Sequence, residues 1–363
     1  MTDETTLQEI EIADPARLPT NPVVSVQMLT YNHGAYIAQA IEGVLAQRTD
    51  FPIELLIAED CSTDDTRAIA ERYQHARPDV VLIVTGPTNI GARANRRRVA
   101  KRIRGEFVAF CEGDDYWTDP KKLQSQVDWL RVNRQAGAVH TDFDHVLMRG
   151  RRARRLADFQ KYRYAGTSVP YGKVFPMLLQ GSFVQTCTLC VRADLDRQFV
   201  SEFLKDSYPI GDWPLSLYIA SEHEIGYLPW STAVYRRVPG SMMNSGYAAS
   251  VSLTSAYIPM IEDICDRLGL SEEDRYKALL PLHRALFSLA FLAGDRLAFE
   301  QTVAWLRTHA PAFLLPWQRR MKIRWSDLSM LRAALVLKHE ACLAISEWCY
   351  YHPESWPGRD ASS

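Results

Sequence analysis

From residue 23 onward the apolar positions fall into short blocks, and two periods alternate. Val23–Leu29, Ile53–Ala58, Val80–Val84 and Phe107–Cys111 are compact apolar runs of strand length. Between the first two, Ile37, Ile41, Val44 and Leu45 repeat at helical spacing, so Ala35–Gln47 predicts an amphipathic helix. Ile69, Ala70 and Tyr73 mark a second helix, started by the hydroxyls and acids of Ser62–Asp65, which suit free N–H groups and the helix dipole. Ala92–Ile103 predicts a third. Asp119-Pro120 reads as a cap and first-turn proline for a fourth, with Leu123, Val127 and Leu130 on one face. Ala138–His140 starts a fifth strand. This alternation, with short connections, predicts an α/β fold: a mostly parallel sheet with helices on both faces.

The pattern changes on either side. Residues 1–21 are polar and proline-punctuated and read as a loose tail. Arg149, Arg151, Arg152, Arg154 and Arg155 form a basic run. Residues 167–245 are mixed; within them Phe175–Leu179 is apolar and Phe183–Val191 reads as a strand. From about 250 the period is helical: Ile258, Ile261, Ile264 and Leu268, then Leu279–Leu292, then Phe299, Val303 and Leu306, then Leu328–Ile345. The reading is a tail (1–21), a catalytic-size domain (22–245, halves 22–145 and 146–245), a C-terminal helical region (246–350) and a fraying end (351–363).

Composition narrows the class. The chain has 363 residues, enough for about two domains. With 47% apolar and 23% charged residues, it is globular rather than disordered. A net charge of −1 argues against a general nucleic-acid coat, so no nucleic-acid partner is expected. Seven cysteines are an odd, scattered count, which suits reduced thiols. Cys187 and Cys190 form a lone CxxC without a second pair, read as strand residues rather than a zinc or redox site. The first twenty residues carry Asp3, Glu4, Glu9, Glu11 and Asp14 against one arginine, the opposite of a signal peptide. The apolar run Ala285–Gly294 is far short of the ~20 residues that span a bilayer. The expected location is cytoplasmic, with peripheral membrane contact open through the basic run or through 318–325, where cations alternate with Trp325 and apolar residues.

In a parallel α/β sheet, ligands meet the carboxyl ends of the strands. Thr30-Tyr31-Asn32-His33-Gly34, Glu59-Asp60-Cys61-Ser62, Asn89-Ile90-Gly91 and Glu112-Gly113-Asp114-Asp115 follow the four runs. Three carboxylates on one tight turn repel each other unless a cation sits there, and hard oxygens suit Mg²⁺ or Mn²⁺. The plainer reading is a solvated acidic turn. Arg93 heads a cationic segment that could meet a diphosphate at a helix N-terminus, whereas Arg96, Arg97, Arg98, Lys101 and Arg102 read mostly as a solvated face.

These loops, together with Tyr116-Trp117, Pro120 and Leu123, resemble the family 2 glycosyltransferases over about Val23 to Asn244. Glu112 stands where that family usually has Asp. The resemblance implies a GT-A fold and an inverting transfer of sugar from a nucleotide-sugar donor to an acceptor hydroxyl on a glycan, lipid-linked carrier or protein. It implies that Thr30, Tyr31 and Asn32 line the nucleotide, that Asp60 hydrogen-bonds the base, and that Glu112 approaches the ribose. Asp114 would be the metal ligand, and Asp115 would lie in the next shell or at the sugar. Gly211-Asp212-Trp213 resembles the acid-Asp-Trp motif, which makes Asp212 the base and Trp213 an acceptor wall; the plainer roles are a helix N-cap for Asp212 and core for Trp213. Tyr235-Arg236-Arg237 resembles the Tyr-Arg motif near the closing loop, so that Arg236 would meet the diphosphate, and Met242–Tyr247 would form a lid. The alternative function is a catalytically inactive nucleotide-sugar or carbohydrate-binding module.

Overall fold

The apolar runs become strands of one mixed sheet. The structure, a computed structural model, describes residues 9–149, 152–238 and 246–314. Its strands are β1 (Ile10–Ile12), β2 (Val24–Thr30), β3 (Ile53–Glu59), β4 (Val81–Thr85), β5 (Phe107–Phe110), β6 (Tyr116–Trp117), β7 (Ala136–Arg149), β8 (Arg152–Leu156), β9 (Cys190–Arg192) and β10 (Glu224–Arg237). They lie in the order β1-β4-β3-β2-β5-β9-β7-β10-β6, with β8 paired to β7. β4, β3, β2 and β5 are mutually parallel, as are β7 and β10. β9 pairs antiparallel with both β5 and β7 and so joins the two parallel blocks. Parallel order is therefore confined to these blocks.

Register places the functional loops. Thr30 stands opposite Glu59 and Gln27 opposite Phe110, so the chain leaves β2, β3 and β5 at one edge of the sheet. β6 follows the 112–115 turn directly and pairs Tyr116 with Val234 of β10. That pairing brings residues more than a hundred positions apart to the same turn.

The first four helices are α1 (Ile37–Leu45), α2 (Thr66–Ala76), α3 (Gly91–Ala100) and α4 (Lys122–Val132). α1 buries Ile37, Ala40, Ile41 and Val44, the stripe its spacing predicts, in the core that holds Val24, Val26, Met28, Leu55 and Ile57. Each fully buried large aliphatic side chain there contributes about 1.5–3 kcal/mol.

Four local expectations change. Ile10–Ile12, inside the stretch read as a loose tail, is an edge strand on β4. Three residues are too few to show a period, and its stability comes from elsewhere: Glu9 accepts from Lys101 Nζ at 3.0 Å and from Arg102 Nη1 at 2.6 Å, and Glu11 accepts from Arg102 Nε at 3.2 Å. α3 is consequently not a solvated cationic face. Arg96 and Arg98 are buried; Arg96 pairs with Asp196, Arg97 with Asp206, and Arg98 donates to the Glu59 carbonyl at 2.7 Å. α4 begins at Lys122, two residues after Pro120, because the Asp119 side chain accepts from Lys121 N and closes a turn first. Within Phe183–Val191 only β9 is strand; Thr186–Thr188 is a 3₁₀ turn, and Cys187 and Cys190 are buried free thiols.

The chain divides into two compact units, Met1–Asn244 with Met260–Ala278, and Ser245–Pro259 with Leu279–Ser363. The helix Gly246–Arg267 contributes to both. The second unit's described core joins Leu286, Phe287, Phe291, Phe299 and Leu306. Among the described residues no helix is long and apolar enough to cross a membrane. Leu328–Ile345, residues 318–325 and Met242–Ser245 lie outside the described residues, as do Gly150 and Arg151 of the basic segment.

Candidate active site

The β2 and β3 loops are fixed to each other by their own polar side chains. Asn32 and Cys61 adopt left-handed backbone, with φ of 54° and 55°, a conformation Asn tolerates better than most residues. Asn32 N–H donates to Ser62 Oγ at 3.0 Å, Thr63 N–H donates to Asn32 Oδ1 at 2.8 Å, and Gly34 N–H donates to Asp64 Oδ2 at 2.9 Å. Asn32 and Ser62 thus act first as ties between loops. Tyr31 stands out from this edge, 43% exposed.

Asp60 is 3% exposed and caps a helix, though not the one that follows it. Its Oδ1 accepts from Ile90 N–H at 3.0 Å and its Oδ2 from Gly91 N–H at 2.9 Å, at the start of α3. Gly91, at φ 81°, supplies the left-handed residue that aims these amides. Arg98 lies 3.8 Å away and balances the buried charge.

The acidic turn is packed from below. A Cβ on Gly113 would lie 2.5 Å from Thr30 Oγ1 and 2.8 Å from His33 Nδ1, so only glycine fits. Thr30 Oγ1, His33 Nδ1 and Glu112 Oε2 are buried with no hydrogen-bond partner in the structure, and His33 Nε2 lies 4.0 Å from Asp114 Oδ2. Burial, then the neighbouring Asp114 charge, pushes the Glu112 carboxyl up to about 8, with Asp212 adding to the effect. Asp115 is raised well above its ordinary range by burial and then by Asp114 and Glu112. Orphaned polar atoms and mutually destabilised carboxylates fit a hard cation at this turn. Among the described residues no group of three or more His, Cys, Asp or Glu side chains could hold a metal by itself, so non-protein oxygens would have to complete its shell.

Asp212 faces the turn across a cleft of about 330 Å³, lined by Arg93, Arg96, Glu112, Asp114, Asp115, Thr186, Asp212 and Tyr235 among others. Asp212 is the first residue of the helix Asp212–Glu222, whose N-cap is Gly211. It is therefore one position inside the cap expected from sequence, where the dipole still favours its negative charge. Its Oδ1 accepts from Trp213 N–H at 2.8 Å and its Oδ2 from Thr186 Oγ1 at 3.1 Å.

Two expected site residues are held by partners within the protein. Trp213 is 4% exposed and its indole N–H donates to the Leu178 carbonyl at 2.7 Å, so it is core rather than an acceptor wall. The Arg236 guanidinium donates to the Asp114 carbonyl at 2.8 Å and to Gln39 Oε1, and lies 4.2 Å from the Tyr116 ring centroid. Its backbone N–H donates to Asp115 Oδ1 at 2.9 Å. Arg236 therefore braces the acidic turn; a diphosphate would have to displace these partners to reach it. Conversely, Thr186, Arg96 and His33 belong to the site without having been singled out for it. Arg96 lies one helical turn after Arg93, a spacing that could have found it; nothing in the sequence marks Thr186.

The family model "Glycosyl transferase family 2" matches residues 25–188. An uncharacterised protein of Mycobacterium tuberculosis is 34% identical over 224 residues, 62% of this chain and 61% of that protein. The chain thus spans about three fifths of the curated relatives it matches over the longest stretch. The poly(ribitol-phosphate) β-N-acetylglucosaminyltransferase TarS of Staphylococcus aureus is 38% identical over 96 residues, 25% of this chain and 16% of TarS. A crystal structure of TarS residues 1–349 with UDP-GlcNAc superposes with a TM-score of 0.57 at 18% identity, covering 77% of this chain and 79% of that one. The mannosyltransferase PcManGT of Pyrobaculum calidifontis, solved with GDP-Man and Mn²⁺, gives 0.54 at 21% identity and covers 87% of each chain. The fold is GT-A-like. Asp212 and Arg236 lie beyond the span that the family model matches.

Proposed function

The chain belongs to the family 2 glycosyltransferases, and from that premise we propose that it is an inverting enzyme moving a sugar from a nucleoside-diphosphate sugar to an acceptor hydroxyl. The observation that carries the reading is the shared cleft: an acidic turn on one wall, Asp212 on the other, and Arg93 beside them. The TarS and PcManGT structures contain UDP-GlcNAc and GDP-Man, which supports a nucleotide-sugar donor. The name of TarS, a poly(ribitol-phosphate) β-N-acetylglucosaminyltransferase, supports an acceptor that is a polymer.

The donor's nucleotide would lie on the β2 and β3 loops, beside Thr30, Tyr31 and Asn32. Asp60 would meet the base through lone pairs not used by the Ile90 and Gly91 amides. Asp114 would hold Mg²⁺ or Mn²⁺, with Glu112 and Asp115 behind it, and the cation when bound would supply charge neutralisation to the departing diphosphate. Arg93 adds positive potential on the same side. Asp212, held by two hydrogen bonds, accepts the acceptor hydroxyl's proton as its oxygen bonds to the anomeric carbon. The bond from that carbon to the diphosphate breaks on the opposite face, which inverts the configuration. Arg236 keeps the turn in shape through Asp114 and Asp115.

Asp114→Asn and Asp212→Asn, assayed separately for nucleotide release and sugar transfer across a panel of UDP- and GDP-sugars with Mn²⁺, test the reading. Loss of a general base lowers kcat by about 10²–10⁴-fold. Full activity in either variant removes that residue from its role.

A further inference from the structure

We propose that Thr186 is a positioning residue for the base, its hydroxyl holding the Asp212 carboxylate in the orientation from which it receives the acceptor's proton. The inference rests on the assignment of Asp212 above and deepens it. Thr186 opens the three-residue 3₁₀ turn Thr186–Thr188 and lines the same cleft as Asp212. Its Oγ1 donates to Asp212 Oδ2 at 3.1 Å, while Oδ1 accepts the Trp213 N–H at 2.8 Å. A carboxylate restrained at both oxygens cannot rotate freely about its last torsion, yet each oxygen keeps a lone pair for a proton.

The same turn is anchored to the acidic wall. The Cys187 carbonyl accepts the Trp117 indole N–H at 2.8 Å. Trp117 lies two residues beyond Asp115. One short turn therefore grips Asp212 with its first residue and, with its second, β6, the strand that leaves the acidic turn. It fixes the separation that donor and acceptor must bridge, and a misplacement of about 1 Å at such a site can cost on the order of 10²-fold in rate. Threonine suits the task because its β-branch limits χ1 and so aims the hydroxyl. Valine would keep the shape and remove the donor.

The test uses the full chain as wild type, Thr186→Val, Thr186→Ser, Asp212→Asn and the double variant Thr186→Val/Asp212→Asn. Nucleotide release is followed with UDP- and GDP-sugars, Mn²⁺ and water as acceptor. The Asp212 carboxyl ¹³C resonance, assigned through Asp212→Asn, is recorded by NMR at one fixed pH. Thr186→Val is expected to lower kcat by about tenfold with donor KM within about twofold, and Thr186→Ser to restore most of it. The double variant is expected to be no slower than Asp212→Asn, since Thr186 acts through that carboxylate. In Thr186→Val the Asp212 carboxyl resonance is expected to move, because Oδ2 has lost its hydroxyl donor. The other charged groups lining the cleft, Glu112, Asp114, Asp115, Arg93 and Arg96, are the same in both proteins. An unchanged kcat in Thr186→Val overturns the proposal, and so does an unmoved Asp212 carboxyl resonance where release is too slow to time. If Asp212→Asn keeps full activity, the base assignment itself falls. If Asp212→Asn is impaired and Thr186→Val is not, only the positioning role falls.

Discussion

Lys122 offers a quantitative test of how the acidic turn is supported. It is fully buried at the start of α4, with Nζ donating to Gln126 Oε1 at 2.6 Å and lying 4.4 Å from the Trp117 ring centroid. Among the described residues no carboxylate pairs with it; burial lowers its pKa from the ordinary 10.5 to about 8. Below about pH 8 the lysine is charged in both folded and unfolded chains, and the whole desolvation cost is present. Between about 8 and 10.5 the unfolded chain binds the proton and the folded chain does not, so stability rises with pH. At about 1.4 kcal/mol per pH unit, the full window is worth about 3 kcal/mol, and the part between pH 7.5 and 9.5 about 2 kcal/mol. Lys122→Met keeps the volume and removes the proton. It also leaves Gln126 without this donor and loses the ring contact, costs that do not vary with pH. Cys111, Cys187 and Cys190, all pushed up by burial, make stability fall as pH rises, but they are present in both proteins and cancel in the difference. Equilibrium urea unfolding of both full chains at pH 7.5 and 9.5 reads the effect. The variant is expected to lose about 2 kcal/mol relative to wild type between the two pH values. Parallel pH dependences would refute the idea that a buried ammonium lies beneath Trp117.

Other perturbations separate support from chemistry. Trp213→Phe should lower stability by about 1 kcal/mol through loss of the Leu178 hydrogen bond and leave donor KM unchanged; a selective rise in acceptor KM would restore it to the acceptor wall. Asp60→Asn replaces one of two acceptors of the α3 amides and should cost about 1–3 kcal/mol in thermal unfolding, together with donor affinity in calorimetry if Asp60 also meets the base. Gly226→Ala would drive a Cβ into the Trp129 ring, and overpacking of this kind costs typically about 1–3 kcal/mol, read as a lowered melting temperature. Asp295→Ala removes the side chain that accepts from Ala298 N–H at 3.0 Å at the N-cap of Arg296–His309, with an expected loss of about 1 kcal/mol in the second unit.

How much of this was legible in the sequence follows from how local each cause is. The first strands and helices rest on side-chain periods within ten or so residues, and Val24–Thr30, Ile37–Leu45 and Ile53–Glu59 lie within a few residues of where those periods put them. The acidic turn was legible because three carboxylates in four residues carry their chemistry in one place. What escaped depends on partners far along the chain. Arg96 and Arg97 look like solvated cations until Asp196 and Asp206 arrive about a hundred residues later. Arg236 looks like a diphosphate ligand until the β6–β10 pairing sets it against Asp114, Tyr116 and Gln39. Trp213 shares a motif with its neighbour Asp212, yet the two side chains of this helix start diverge, one into the core and one into the cleft. The motif fixed that a carboxylate and an indole stand side by side; helix geometry decided which of them substrate could reach. Thr186 is the limiting case. A single hydroxyl has no period and no company, and it gains meaning only because a 3₁₀ turn interrupts an apparent strand and sets it 3.1 Å from the Asp212 carboxylate. A site divided between two walls of a cleft is specified by the connections that hold the walls apart, and in this chain those connections are hydrogen bonds between residues that sequence proximity does not relate.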